Sequence, residues 1–278
     1  MSGENGKKSV QDELQQGFMI LDAFLAKNRH LPTPELFRQC WNLILRNENL
    51  FSAAATRSNR FKVDGKNLIY ARFALYFKLL RKGFVPPIKL ADESSGLAVR
   101  PGSIFVALHS QLELAVAKLL QERSHRIAMI TAGPGQPQLL ELFAMSPVPD
   151  FIKRDSDCLL LAREALAKSK SLMIDVDYRV FDEGQRQFVY KIGITAFLFA
   201  KKMSRPLYFV KPEIKADGEI VCTIQLSPTE APANDIAEQF RSFVGAAETP
   251  GNAYPIGDWF LDTGGKLSSG TAGRSPPG

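Results

Sequence analysis

After Gly83-Phe-Val-Pro-Pro the sequence changes rhythm, and that change most constrains what the chain can fold into. Short β-rich apolar runs alternate with stretches of helical spacing. Strands are expected at 103–108, 126–131, 149–153 and 171–176, and helices at 111–123, 136–145 and 155–169. Strands separated by 10 to 15 residues of helical pattern imply βαβ units and therefore a parallel sheet. Residues 177–191 are polar enough to be expected as a long loop, followed by a helix near 194–204. Two further strands, 206–213 and 219–226, meet around Ala216-Asp217-Gly218, a hairpin signal that adds an antiparallel pair. A helix at about 233–246 and the segment Tyr254–Phe260 close the fold. The class is α/β, a mostly parallel mixed sheet flanked by helices.

Upstream lies a helical extension, residues 9–84, set before the α/β domain of residues 85–261. Ser9-Val-Gln-Asp is a capping-box pattern, and Leu14, Phe18, Leu21 and Leu25 recur at helical spacing. Thr33-Pro34-Glu35 starts a second helix, with Pro at its first position and Leu36, Phe37, Trp41, Ile44 and Leu45 as its apolar stripe. A third, from about Lys66 to Arg81, carries Tyr70, Phe73, Tyr76 and Phe77 and is edged by Arg72, Lys78, Arg81 and Lys82. Aromatics with flanking cations serve either as a core face beneath solvated charges or as an amphipathic face on lipid or along an acyl channel. The polar ends, residues 1–8 and 262–278, are expected to be disordered.

Net charge is +6 and the sequence pI about 9.2, which favours acidic partners without selecting one. The basic residues are scattered and form no nucleic-acid motif. Cys40, Cys158 and Cys222 are odd in number and lack metal or disulfide spacing, as in a reducing compartment. The N-terminus shows no signal-peptide core, and no run approaches the roughly 18 apolar residues of a spanning helix. A cytoplasmic protein, with contact at most with the surface of a membrane, is the expectation.

Chemistry is expected where the apolar run Ile104–Leu108 ends in His109, with Glu113 opening the next helix. The carboxyl ends of parallel strands are where such sheets place ligands, and a carboxylate-held His is a natural base for a hydroxyl proton. A histidine merely satisfied at a strand end is the other reading. Asp175 and Asp177 follow the run Ser171–Ile174, and Arg154 follows another short extended piece. The aspartates serve either this rim or a loop salt bridge. The guanidinium either grips a phosphate or carboxylate or lies on the surface beside a helix start. His30 is expected in a solvated linker and His125 at the surface. No third metal ligand accompanies His109 and Glu113, so no metal is expected. Gly133-Pro-Gly135 is too short for a phosphate-binding fingerprint, no Gly-x-Ser-x-Gly occurs, and Cys158 lies among leucines in a helical stretch.

In order, these pieces resemble the bacterial lipid A biosynthesis acyltransferases, the lauroyl and myristoyl transferases of the lysophospholipid acyltransferase-like group. Ile104-Phe-Val-Ala-Leu-His-Ser-Gln-Leu-Glu-Leu-Ala resembles their first motif, a strand, a His, a spacer and an acid. Arg154 with Asp155-Ser-Asp-Cys-Leu-Leu-Leu-Ala resembles the second block. Leu172-Met-Ile-Asp-Val-Asp resembles the third, and Gly193-Ile-Thr-Ala-Phe-Leu-Phe-Ala a later helix leading to a strand. The likeness covers about residues 85 to 260. The family spacer has four residues, whereas Ser110-Gln111-Leu112 makes three, and the family's membrane-spanning helix has no counterpart in this sequence.

The resemblance implies acyl transfer from a thioester, an acyl carrier protein or acyl-CoA, to a hydroxyl or amine. His109 would be the base and Glu113 its orienting acid, with Arg154, Asp175 and Asp177 at the substrate. No cofactor is implied, and peripheral contact with a membrane is. A lipid- or carrier-binding relative without turnover, and a thioester or ester hydrolase, are the competing expectations.

Overall fold

The structure is a computed structural model. It describes residues 10–47, 50–51, 65–91, 99–110, 112–131, 137–182, 187–245 and 259–261. The anticipated capping box at Ser9, the Gly133–Gly135 turn and both terminal tails lie outside the described residues.

The helices fully described at the start are α1 (Val10–Lys27), α2 (Thr33–Arg46) and α3 (Gly65–Leu80). In α2, Leu36, Phe37, Cys40, Trp41 and Ile44 form one buried stripe, as the spacing predicts, and Pro34 stands in its first turn. The aromatics of α3 complete that packing. Phe37 lies within 6 Å, centroid to centroid, of Tyr70, Phe73 and Phe77. Their edge-on and offset geometries are those that aromatic quadrupoles favour. The aromatic stripe is thus core, leaving Arg72, Leu79, Leu80 and Lys82 on the outer face.

The α/β part follows. It contains β1 (Ile88–Leu90), β2 (Ile104–Ala107), α4 (Glu113–Glu122), β3 (Ile127–Thr131), α5 (Pro137–Leu142) and β4 (Asp150–Lys153). Then come α6 (Cys158–Ala167), β5 (Ser171–Asp175), β6 (Asp177–Asp182), β7 (Gln187–Ile192) and α7 (Thr195–Lys202). The chain continues through β8 (Leu207–Ile214), β9 (Ile220–Leu226), α8 (Ala233–Gly245) and β10 (Trp259–Leu261). The main sheet has seven strands in the order β1-β9-β8-β2-β5-β3-β4. Its central strands β8, β2, β5, β3 and β4 are parallel, while β9 runs antiparallel to β8, so the expected mixed, mostly parallel sheet is present. The β8–β9 hairpin turns where Ala216-Asp217-Gly218 predicts it, with Gly218 at φ +83, a conformation that costs glycine no Cβ clash.

Side chains of alternate strand positions feed two apolar layers, because successive Cβ atoms point to opposite faces. Phe105, Ala107, Met129 and Met173 join the layer beneath α1 to α4, and Ile104, Val106, Leu172 and Ile174 join the layer beneath α6 to α8. The first layer is continuous with the N-terminal helices. Trp41 Nε1 donates to the Lys215 carbonyl at 3.2 Å and Tyr70 Oη to the Gly218 carbonyl at 2.6 Å, so the helical segment is tied to the β8–β9 turn.

Three expectations change. Residues 177–191, expected as a loop, include the β6–β7 hairpin, which β10 extends to a three-stranded sheet. Interspersed Arg, Asp, Gln and Lys obscure the β-rich residues Tyr178, Val180, Phe188 and Val189 in the sequence. Helix α5 ends at Leu142 rather than 145, since Ala144 adopts φ +48. His125 is buried rather than at the surface, with Nδ1 3.0 Å from Ser171 Oγ and the ring against Phe105. His30 is exposed in its turn, as expected.

Candidate functional site

The parallel register puts the carboxyl ends of β2, β5, β3 and β4 on one edge of the sheet. Ala107 of β2 pairs with Asp175 of β5, so the residues just beyond them are neighbours in space. There the site assembles. The His109 imidazole is 62% exposed, and its Nδ1 meets two buried carboxylates, Glu113 Oε1 at 3.1 Å and Asp175 Oδ2 at 3.2 Å. The shortened spacer therefore does not separate His109 from Glu113.

The main chain around the imidazole is held as firmly as the ring. Asp177 Oδ1 accepts the His109 backbone N–H at 2.6 Å. Glu113 Oε1 accepts the Ser110 N–H at 2.6 Å, and Ser110 Oγ accepts the Leu112 N–H at 3.1 Å. Glu113 and Ser110 thus hold the main chain just ahead of α4, whose N-cap is Leu112. Asn67, near the start of α3, donates from Nδ2 to Ser110 Oγ at 3.2 Å. No sequence signal marks Asn67, because the contact spans 43 positions. Arg154 reaches the same edge but grips no carboxylate there: its Nη2 donates to the main-chain oxygen of Asp175 at 2.5 Å, and its own N–H donates to the Thr131 carbonyl at 2.9 Å. All five expected site residues thus meet at one rim, with Asp177 and Arg154 gripping main chain.

The electrostatics follow from burying acids around an imidazole. Hydrogen bonds from Asp175 first, then Glu113, push the His109 pKa up to about 11, since both stabilise the charged ring. Burial, then the nearby Glu113 charge, pushes Asp175 up to about 7, and burial pushes Asp177 up to about 6. His109, Glu113 and Asp175 form one coupled set in which a proton on Nδ1 is shared with two acids. Imidazole nitrogen and carboxylate oxygen are also metal donors, and one such atom from each residue lies within 4.8 Å of the others. The third donor that the sequence did not show is Asp175.

Among the described residues, no cysteine or serine at this rim is set up as a nucleophile. Cys40 and Cys222 are buried, with thiols pushed up to about 12 by burial, and Cys158 packs partly buried against the second apolar layer. The Ser110 hydroxyl is engaged with Leu112 and Asn67. Exposed leucines flank the site instead. Leu159, Leu160 and Leu161 sit in the first turn of α6, just after β4 delivers Arg154 to the shared edge.

No protein-family model matches the chain, and no curated protein matches it. Among the described residues, no helix is long and apolar enough to cross a membrane.

Proposed function

We propose that the protein is an acyltransferase that moves an acyl group from a thioester donor, an acyl carrier protein or acyl-CoA, to a hydroxyl or amine acceptor. The observation that carries this reading is the His109 imidazole, fixed at Nδ1 by buried carboxylates and open to solvent on its remaining face. The ordered resemblance to the lipid A acyltransferases supports it. In its neutral form His109 takes the acceptor proton at Nε2 as the acceptor oxygen or nitrogen attacks the thioester carbonyl. The tetrahedral adduct then breaks its C–S bond, and the imidazolium returns the proton to the departing thiolate. No acyl-enzyme is needed, in keeping with the engaged hydroxyl of Ser110 and the buried thiols.

Transfer of a labelled acyl group from acyl carrier protein or acyl-CoA to hydroxyl and amine acceptors tests the reading directly. Labelled acid released without acceptor would make the protein a hydrolase, and binding without turnover a carrier-binding relative. Turnover is expected to survive a chelator. Loss restored by Zn²⁺ would assign the same three groups to a metal site.

The peripheral membrane contact implied by the resemblance falls at the α6 turn on this reading, because Leu159–Leu161 share the sheet edge of His109 whereas Leu79 and Leu80 do not. Leu160→Glu is expected to weaken binding to phospholipid vesicles, read by co-sedimentation, about tenfold or more, each buried leucine contributing about 1.5–3 kcal/mol. Unchanged sedimentation would remove this turn from any membrane contact.

A further inference from the structure

Two carboxylates approach one imidazole nitrogen at almost equal distance, Glu113 at 3.1 Å and Asp175 at 3.2 Å, yet their surroundings differ. The Glu113 oxygen that faces Nδ1 is the same atom that accepts the Ser110 N–H at 2.6 Å. That shorter bond holds the buried main-chain N–H of Ser110, which precedes the N-cap Leu112 of α4. Oε1 therefore divides its acceptor capacity between main chain and ring.

Among the described residues Asp175 has no such second duty for its carboxylate. It ends β5, which is hydrogen-bonded on both sides, to β2 and β3, so its backbone is fixed independently of the loop that carries His109. Arg154 holds its carbonyl oxygen, which further sets the residue's direction. Among the described residues the hydrogen-bond partner of its carboxylate is His109.

We infer that Asp175 is the positioning acid of His109, holding the Nδ1 proton and the ring, while Glu113 chiefly holds the Ser110 main chain ahead of α4. This inference rests on the reading of His109 as the base. It divides labour that the sequence motif, with its single acid after the His, gives to Glu113 alone. The titratable and charged groups facing His109 are Glu113 from α4, Asp175 from β5, Asp177 at the start of β6 through the His109 N–H, and Arg154 behind Asp175. Both acids raise the His109 pKa, Asp175 foremost. Because the neutral ring is the base, activity should rise with pH as the imidazolium loses its proton. Removing the dominant negative charge lowers the His109 pKa and moves that limb to lower pH.

The experiment is an NMR titration of isotopically labelled histidine in the full chain, for wild type, Asp175→Asn and Glu113→Gln, beside denaturant unfolding and the pH dependence of transfer. Asp175→Asn should move the His109 titration and the activity limb down by about 1 to 3 pH units, the span typical of an opposite charge at this distance. Glu113→Gln should move them less and lower the unfolding midpoint more, as weakening the charged acceptor of a buried main-chain N–H does. Asp175→Glu, which keeps the charge, should restore part of the wild-type titration, as repair of packing alone would not. A larger shift in Glu113→Gln, or no shift in Asp175→Asn, overturns the assignment. The histidine titration needs no turnover. If wild type transfers no acyl group but the ordering holds, the function fails and the assignment stands. If transfer occurs with the order reversed, the assignment alone fails.

Discussion

Replacing His109 with alanine is expected to lower acyl transfer by about 10² to 10⁴-fold, the usual contribution of a positioned general base. The effect should fall on kcat and kcat/KM together, because the proton moves only in the transition state. The fold should survive. The imidazole is more than half exposed, and the contacts that hold the loop, Asp177 to the His109 N–H and Glu113 to the Ser110 N–H, do not involve its ring. The variant should still unfold cooperatively, at a somewhat lower midpoint because buried Glu113 and Asp175 lose their imidazole partner, while single-turnover transfer separates it from wild type. Near-normal turnover in the variant would remove His109 from the mechanism and leave this rim as a binding surface.

Trp41→Ala should have the largest effect on stability, about 3–5 kcal/mol, as for other buried large aromatics cut to alanine. Trp41 is fully buried, packs edge-on to Tyr70 at 5.1 Å and lies against the Gly218 turn. Its loss opens a cavity where the N-terminal helices meet the β8–β9 hairpin. It also removes one of two donors to the Lys215 carbonyl, which keeps the Gly218 N–H at 3.0 Å, so the lost hydrogen bond adds only a small further cost. Against a typical total of about 5–15 kcal/mol, that is a large share. Denaturant unfolding followed by circular dichroism measures it. Trp41→Phe, which refills most of the volume but cannot donate, should cost less. Equal costs for the two would mean that the hydrogen bond, not the packing, dominates at this joint. A drop of less than about 1 kcal/mol in Trp41→Ala would mean that the helical segment adds little to the stability of the sheet.

Much of the fold was legible because the signals are local. The period of apolar residues marks α2, α3, α6 and α8, and the runs ending at Ala107, Thr131 and Asp175 mark the inner strands within a residue or two. Ala216-Asp217-Gly218 marks the one tight hairpin of the main sheet. Where local signals were mixed they misled. Charged and polar residues concealed β6 and β7, and a polar neighbourhood concealed the burial of His125, which hydrogen-bonds the Val99 main chain and lies against Ser171.

The sequence by itself determined that His109 would stand at the end of an apolar strand with an acid opening the next helix four residues on, since both facts depend only on spacing along the chain. Which other groups reach that imidazole was decided by the tertiary structure. Asp175 and Asp177 lie 66 and 68 positions away, and they arrive only because β5 hydrogen-bonds beside β2 in parallel register. Asn67 arrives only because α3 packs with its start at the same edge. Strand order and helix docking are settled by burying whole faces against one another. No local period encodes which strands become neighbours, so the second carboxylate on His109 could not be read from the chain alone.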